Sequence, residues 1–339
     1  MSGLEVVPVD PADDEALAAW HATYVAAELA GRPHATPYHL PELRARFRTP
    51  GPGVTHELWA VRAGREVVCS AFLELPVLDN TTQAGLTLGT HPDHRRRGYG
   101  SALLEHVCDR SRERGRRVVL VEVAYPYDGP ADGRGHRDVD FATRRGFTFA
   151  LGDVKRVLAL PVDPGLLDRL VRDAEPHHAG YRFRQVSGRV PDDLVVGYGR
   201  LVGSLGTEAP SGELDLEPEH YPPERVRGEE QGLAEAGRVR EAVVALDPSG
   251  DCVAYSEVVV SAHEDGRAFQ WGTLVLPGHR GHRLGTAVKA RTLQLLAARR
   301  PGLTELVTFN ADVNRHMVGI NDRLGFRPVE RLGELQRRL

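Results

Sequence analysis

The chain has 339 residues, 41% of them hydrophobic and 27% charged. These proportions exclude wholesale disorder and leave room for two domains of roughly 150 residues each. A formal net charge of -4 gives no global attraction to nucleic acid or to an anionic membrane, so neither is expected as a partner.

The three cysteines, Cys69, Cys108 and Cys252, have no CxxC or CxxH spacing. That argues against a disulfide framework and a zinc site and fits a reducing cytoplasm, and no metal is expected. The segment MSGLEVVPVDPADDEA is acidic where a secretory signal needs basic and apolar runs. No window approaches the uninterrupted apolar length of a transmembrane helix. A cytoplasmic location is expected.

In chain order, LEVVPV is strand-like, and residues 13–29 and 41–47 carry helical patterns. Residues 57–77 alternate around a Gly turn, as an antiparallel hairpin does. LTLGT (86–90) is a short strand leading into a Gly-containing loop and a helix from about 98 to 114, capped by Gly115. VVLVEV follows as a nearly continuous apolar strand. After VKRVLALPV, the polar stretch LLDRLVRDAEPHHAG places a linker at 161–180, with His177 and His178 in a solvent-exposed turn.

A second set of elements then begins: a strand at 181–186, helices near 192–205 and 222–236, a hairpin at 241–260, a strand at 271–276, a helix at 284–299 and a strand at 303–309. The predicted fold class is α/β, an α+β mixed sheet with helices on both faces, in two domains at 1–160 and 181–339.

The second set repeats the first. CSAFLE, ending at Glu74, matches CVAYSE, ending at Glu257, at a separation of 183 residues. HPDHRRRGYGSALL matches LPGHRGHRLGTAVK, with Gly100 and Gly285 separated by 185, and the Gly146-Phe147 step matches Gly325-Phe326 at 179. Three matches in one order at nearly one offset mark homologous modules.

The loop HPDHRRRGYG carries the most chemistry. A strand delivers the chain to Arg95, Arg96, Arg97, Gly98, Tyr99 and Gly100, where a helix begins. Glycines allow close main-chain approach, and free helical N–H groups, the helix dipole and arginines together receive phosphate. A dinucleotide fingerprint needs a third glycine and a P-loop needs GKS or GKT; both are missing.

The stretch resembles the acetyl-CoA pyrophosphate loop of the GNAT superfamily of N-acetyltransferases: Gln or Arg, two residues, Gly, one residue, then Gly or Ala. Arg95, Gly98 and Gly100 match it. The resemblance covers nearly the whole chain, twice, and tandem GNAT proteins similar to this one include mycothiol synthase-like proteins. It implies acetyl-CoA as co-substrate, with Leu88, Gly89 and Thr90 along the pantetheine arm and Arg95 to Ser101 on the pyrophosphate. It implies the same roles for Leu274, Val275 and Leu276 and for Arg280, Gly281, His282, Arg283, Leu284, Gly285 and Thr286. Arg283, however, stands where the family has its first essential glycine.

Acetyl transfer by direct attack needs a neutral amine, an oxyanion donor near Leu88 or Leu274, and a proton for the leaving thiolate. Glu257 and its repeat counterpart Glu74 are the candidate bases, each on an apolar strand-like segment where burial raises a carboxylate pKa. The Tyr that donates the proton in the family is replaced by Ala142 and by Asn321. Asn310, Asn314 and Asn321 give the second copy the richer polar site, for pantetheine, the acceptor or a helix cap. Asp215, Glu217 and Glu219 are candidates for a cationic acceptor entrance. The expected acceptor is a small-molecule amine and the expected state a monomer or homodimer, with the second copy catalytic and the first supporting.

Overall fold

A computed structural model describes residues 4–214 and 216–339. The elements in chain order are β1 (Leu4–Pro8), α1 (Asp14–Leu29), α2 (Leu40–Arg48), β2 (Val54–Ala63), β3 (Glu66–Pro76), β4 (Gln83–Thr90), α3 (Tyr99–Glu113), β5 (Val118–Pro126), α4 (Arg137–Thr143) and β6 (Thr148–Ala159). Then come α5 (Pro164–Ala174), β7 (Arg182–Ser187), α6 (Val195–Glu208), α7 (Pro223–Glu235), β8 (Arg238–Leu246), β9 (Cys252–Ser261), β10 (Arg267–Val275), α8 (Leu284–Arg299), β11 (Glu305–Ala311), α9 (Arg315–Leu324) and β12 (Arg327–Arg338). This is the predicted mixed α/β architecture, built twice. No helix among the described residues is long and apolar enough to cross a membrane. All three cysteines are buried and unpaired.

The chain divides into two compact units, one of residues up to Gly152 together with Glu330–Leu339, the other Asp153–Val329. The first unit has strand order β1-β2-β3-β4-β5-β12, and the second β6-β11-β10-β9-β8-β7. In each, one pair is parallel (β4 with β5, β10 with β11) and the strands flanking it are antiparallel to it.

This division differs from the cut at 160 and 180 expected from sequence. The closing strands are exchanged: β12 pairs along β5 from Glu330↔Pro126 to Arg338↔Val118, whereas β6 pairs along β11 from Asp153↔Ala311 to Ala159↔Glu305. Residues 161–180 are a folded element. Asp163 accepts hydrogen bonds from the N–H groups of Gly165 and Leu166, Pro164 opens α5, and Leu167 and Leu170 are buried in the second unit's core. His178 is buried, its ring 5.1 Å from that of Phe183.

Each sheet is covered on both faces. In the first unit, Trp20, Tyr24, Leu43 and Phe47 of α1 and α2 pack on Phe72, while Leu103, Leu104 and Val107 of α3 pack on Val61 and Leu73. Trp20 is fully buried, and its indole N–H donates to the Trp59 carbonyl at 3.1 Å. Burying a side chain of that size contributes about 1.5–3 kcal/mol. In the second unit, Tyr198, Leu201 and Val226 of α6 and α7 cover one face and Leu293 and Leu296 of α8 the other.

Candidate active site

In the first unit the parallel register of β4 and β5 ends at Leu86↔Val121, while β4 stays paired with β3 as far as Cys69↔Thr90. The strand therefore runs on through Leu88, Gly89 and Thr90 with its β5 side released. Gly89 lies under α1, where a Cβ would stand 2.6 Å from that of Ala27.

A single 3-10 turn, Pro92–His94, then turns the chain toward α3. Arg95 folds back, donating to the carbonyls of Thr90 at 3.2 Å and Ala27 at 3.3 Å, so its side chain braces the loop. Arg96, Arg97 and Gly98 are exposed. Gly98 caps α3 at φ 89 with nothing within 4 Å of where a Cβ would lie. The first helical bond is from Ala102 to the Gly98 carbonyl, which leaves the N–H groups of Tyr99, Gly100 and Ser101 without helical partners. The Ser101 hydroxyl accepts from Arg145, whose guanidinium lies 3.8 Å over the Phe141 ring.

The second unit repeats this with changes. The β10–β11 register ends at Gln270↔Thr308, and β10 bulges between Gln270 and Thr273 before continuing to Val275. At the bulge, a Cβ on Gly272 would collide with the Tyr255 hydroxyl. Arg280 braces the loop through the Val275 carbonyl at 3.3 Å and Glu208 at 2.9 Å. Arg283 takes the left-handed cap position of Gly98, at φ 54, and its guanidinium turns away to the Asp173 carbonyl at 3.0 Å. His282 bonds the His177 carbonyl, and Thr286 accepts from Arg323. Gly281 is exposed and Leu284 buried. Gly285 faces Ile320 at 3.3 Å and Val275 at 3.6 Å from a virtual Cβ.

Sheet register corrects the pairing of Glu74 with Glu257. The N–H of His91 donates to the Val68 carbonyl and that of Leu276 to the Val253 carbonyl, while Cys69 pairs Thr90 and Ala254 pairs Val275. The structural offset is thus 185, and Glu74 corresponds to Val259 and Glu257 to Phe72. The sequence match slipped by two residues, which in a strand preserves the face and so preserved the pattern.

Both carboxylates meet cations. Glu74 contacts Arg46 and lies 3.7 Å from His56. Burial alone would raise its pKa, but His56 and the Arg46 guanidinium more than offset this and hold it at about 2. Such a group is a weak base at neutral pH. Glu257, 4% exposed, accepts from Arg240 at 2.7 Å and from the Tyr198 hydroxyl. Burial disfavours charge on Arg240, but Glu257 keeps it protonated; burial, reinforced by Glu257, holds Tyr198 neutral. Close by, the Tyr221 hydroxyl donates to Glu229, whose pKa burial raises.

The three asparagines separate by role. Asn314 caps α9, accepting from the Met317 N–H at 3.1 Å. Asn321, fully buried, donates to Asn310 at 3.1 Å, and Asn310 also accepts from Arg156 at 3.3 Å. The Asn321 carbonyl oxygen accepts from Lys289 at 2.5 Å. Lys289 is the residue that sequence reasoning missed. It is 1% exposed, and burial, aided by the charge of Arg156, depresses its pKa to about 7. Its signal was compositional: only Lys155 and Lys289 are lysines in a chain whose other basic residues are arginines. In the acidic loop Asp215 lies outside the described residues, and Glu219 pairs with Arg225 at 2.7 Å.

Residues 16–147 match the family model described as "Acetyltransferase (GNAT) family". A similar solved structure is a tandem GNAT protein from the clavulanic acid biosynthesis pathway, 26% identical, with TM-score 0.78, covering 99% of this chain and 98% of that one. A GCN5-related N-acetyltransferase from Sphaerobacter thermophilus is 16% identical, with TM-score 0.65 and coverages of 99% and 95%. N-myristoyltransferase from Saccharomyces cerevisiae, with bound myristoyl-CoA, shares the fold at 12% identity and TM-score 0.60, covering 100% of this chain and 80% of that one. No curated protein matches the sequence significantly. Residues 16–147 thus carry the pattern of the GNAT family, whose shared chemistry is acyl transfer from acetyl-CoA or another acyl-CoA, and the whole chain is similar in fold to a tandem GNAT protein. The fold is carried twice, once in each unit.

Proposed function

We propose that the protein is an acetyl-CoA-dependent N-acetyltransferase that acetylates a primary amine of a small molecule by direct attack in a ternary complex. The observation that carries this reading is the released edge of β4 from Leu88 to Thr90, leading into a helix N-terminus with Gly98 in open space. The residues fit a pyrophosphate: unpartnered N–H groups at Tyr99 to Ser101, exposed Arg96 and Arg97, and no side chain over Gly98. The second unit has the same strand release and holds the row Lys289, Asn321 and Asn310, the first two fully buried, and we assign the chemistry there. Leu274 supplies the oxyanion donor, and the Lys289–Asn321 pair, at the position of the family's missing Tyr, is the proton source. Glu257 serves by fixing Arg240 and Tyr198 on the acceptor side.

Calorimetric titration with acetyl-CoA tests the reading on the parent and on Gly98→Glu, which sets a carboxylate where phosphate is received. Two sites falling to one is expected; one site falling to none would confine acetyl-CoA to the first unit and overturn the assignment of the chemistry to the second. A single site unaffected by the change overturns the assignment of the loop. Release of CoA across an amine panel then tests turnover. A non-catalytic acyl-CoA sensor is the second reading, favoured by the ion pairing of both Glu74 and Glu257; it predicts binding without turnover.

A further inference from the structure

The 185-residue structural offset allows the two units to be compared side chain by side chain on the face of the sheet covered by α3 and α8. His106 corresponds to Arg291, Glu113 to Ala298 and Arg114 to Arg299. Across the neighbouring strand, Val61 and Ala245 each sit just before the β-bulge, so Trp59 corresponds to Val243 and Glu57 to Glu241.

In the first unit this place is filled and neutral. The Trp59 ring lies edge-on to His106 at 4.3 Å, and Glu57 takes both Arg110 at 2.7 Å and Arg114 at 2.5 Å. In the second unit, Val243 and Ala298 are too small to fill it, and a cavity of about 270 Å³ opens there, its apolar side formed by Phe183, Val243 and Leu295 and its polar side by Arg291, Arg299, Gln185 and Gln294.

Its charge is unbalanced. The Arg291 guanidinium lies 4.5 Å from the centre of the Phe183 ring, and its buried Nε has no hydrogen-bond partner. Among the described residues neither Arg291 nor Arg299 has an acidic partner; Glu241, the counterpart of Glu57, is bonded through Oε1 to Arg300 at 3.0 Å, and its buried Oε2 is bonded to neither. A buried donor without an acceptor is costly. So is an unfilled apolar wall.

We propose that this pocket binds a small carboxylate carrying a ring or short aliphatic chain, with its carboxylate on Arg291 and Arg299 and its apolar body against Phe183, Val243 and Leu295. An apolar cavity of roughly 150 Å³ holds benzene, so the volume suits a one-ring acid. The pocket is separate from the acyl-transfer cleft: Lys289 and Arg291, two residues apart on α8, point about 200° apart around the helix, and Arg291 lies about 9 Å along the axis from Gly285. It does not depend on which unit catalyses.

Calorimetry with benzoate, benzyl alcohol and inorganic phosphate tests this, with and without saturating acetyl-CoA, on the parent, Arg291→Gln and Ala298→Trp. Position 298 is exposed on α8, so the larger side chain occludes the pocket without entering the core. Benzoate is expected to saturate at one per chain, to weaken about tenfold in Arg291→Gln and to be lost in Ala298→Trp, with melting temperatures of both variants unchanged. Absence of benzoate binding at millimolar concentration overturns the proposal. So does benzyl alcohol or phosphate binding as tightly as benzoate, or undiminished binding in Ala298→Trp.

Discussion

Replacing Lys289 by Met should change how the protein's stability responds to pH. Lys289 is buried, and its folded pKa of about 7 lies well below the ordinary 10.5. The unfolded chain therefore binds this proton more tightly. The penalty is absent above pH 10.5, grows as pH falls and is complete below 7. The gap corresponds to roughly 5 kcal/mol at low pH, of which about 2–3 kcal/mol develops between pH 9 and pH 6. Met removes that titration but leaves the Asn321 carbonyl oxygen without its donor, a cost of about 1–3 kcal/mol at every pH. The two proteins should be close in stability at pH 9, with the variant ahead by about 2–4 kcal/mol at pH 6.

Urea unfolding followed by circular dichroism at several pH values measures the difference, in which all other titrating groups cancel. The chain has only two lysines, so carbon-13 labelling of lysine Cε gives two resonances, and one should titrate near neutrality. Parallel pH profiles for the two proteins, or two lysines titrating near 10.5, would refute the reasoning.

Glu74→Gln should lower the melting temperature at pH 7. A carboxyl held at about 2 against an ordinary 4.5 contributes stability that is present above 4.5 and lost as pH falls through 2, so scanning calorimetry from pH 7 to 2 should show the difference disappear. Glu257→Gln removes the nearest counter-charge of buried Arg240, leaving Glu230 at 4.0 Å, and should cost about 3 kcal/mol, with most of the loss recovered when Arg240→Met is added; a double-mutant cycle reads the coupling. Gly272→Ala drives a methyl into the Tyr255 hydroxyl and should cost about 1–3 kcal/mol by thermal melting, with partial recovery in the double variant carrying Tyr255→Leu.

The order of elements was legible because patterning and punctuation agreed: Asp13 and Asp163 cap helices, and Gly325 ends α9 in the left-handed conformation. The turn from Arg95 to Gly100 and the helix start after it were legible because the glycines serve the backbone, which local sequence encodes. Pairings between distant residues were not. Glu74 and Glu257 looked equivalent from flanking letters, yet only hydrogen-bond register reveals the two-residue slip. Their partners Arg46 and Arg240 lie on other elements, 28 and 17 residues away. Lys289 lay hidden for a different reason. Nothing in its helix shows that Asn321, 32 residues on, lies against it.

The exchange of closing strands also bears on how such a chain is made. While the protein is being synthesised, the first unit's sheet remains one strand short until Glu330–Leu339 emerge, and the open edge of β5, rich in valine, is meanwhile a template for pairing with a neighbouring nascent chain. Gene fragments split near the middle would each encode a sheet lacking its own last strand and holding one meant for the other. The ancestral duplication thus became hard to reverse: once the strands had traded places, neither copy could be lost without removing part of the one retained.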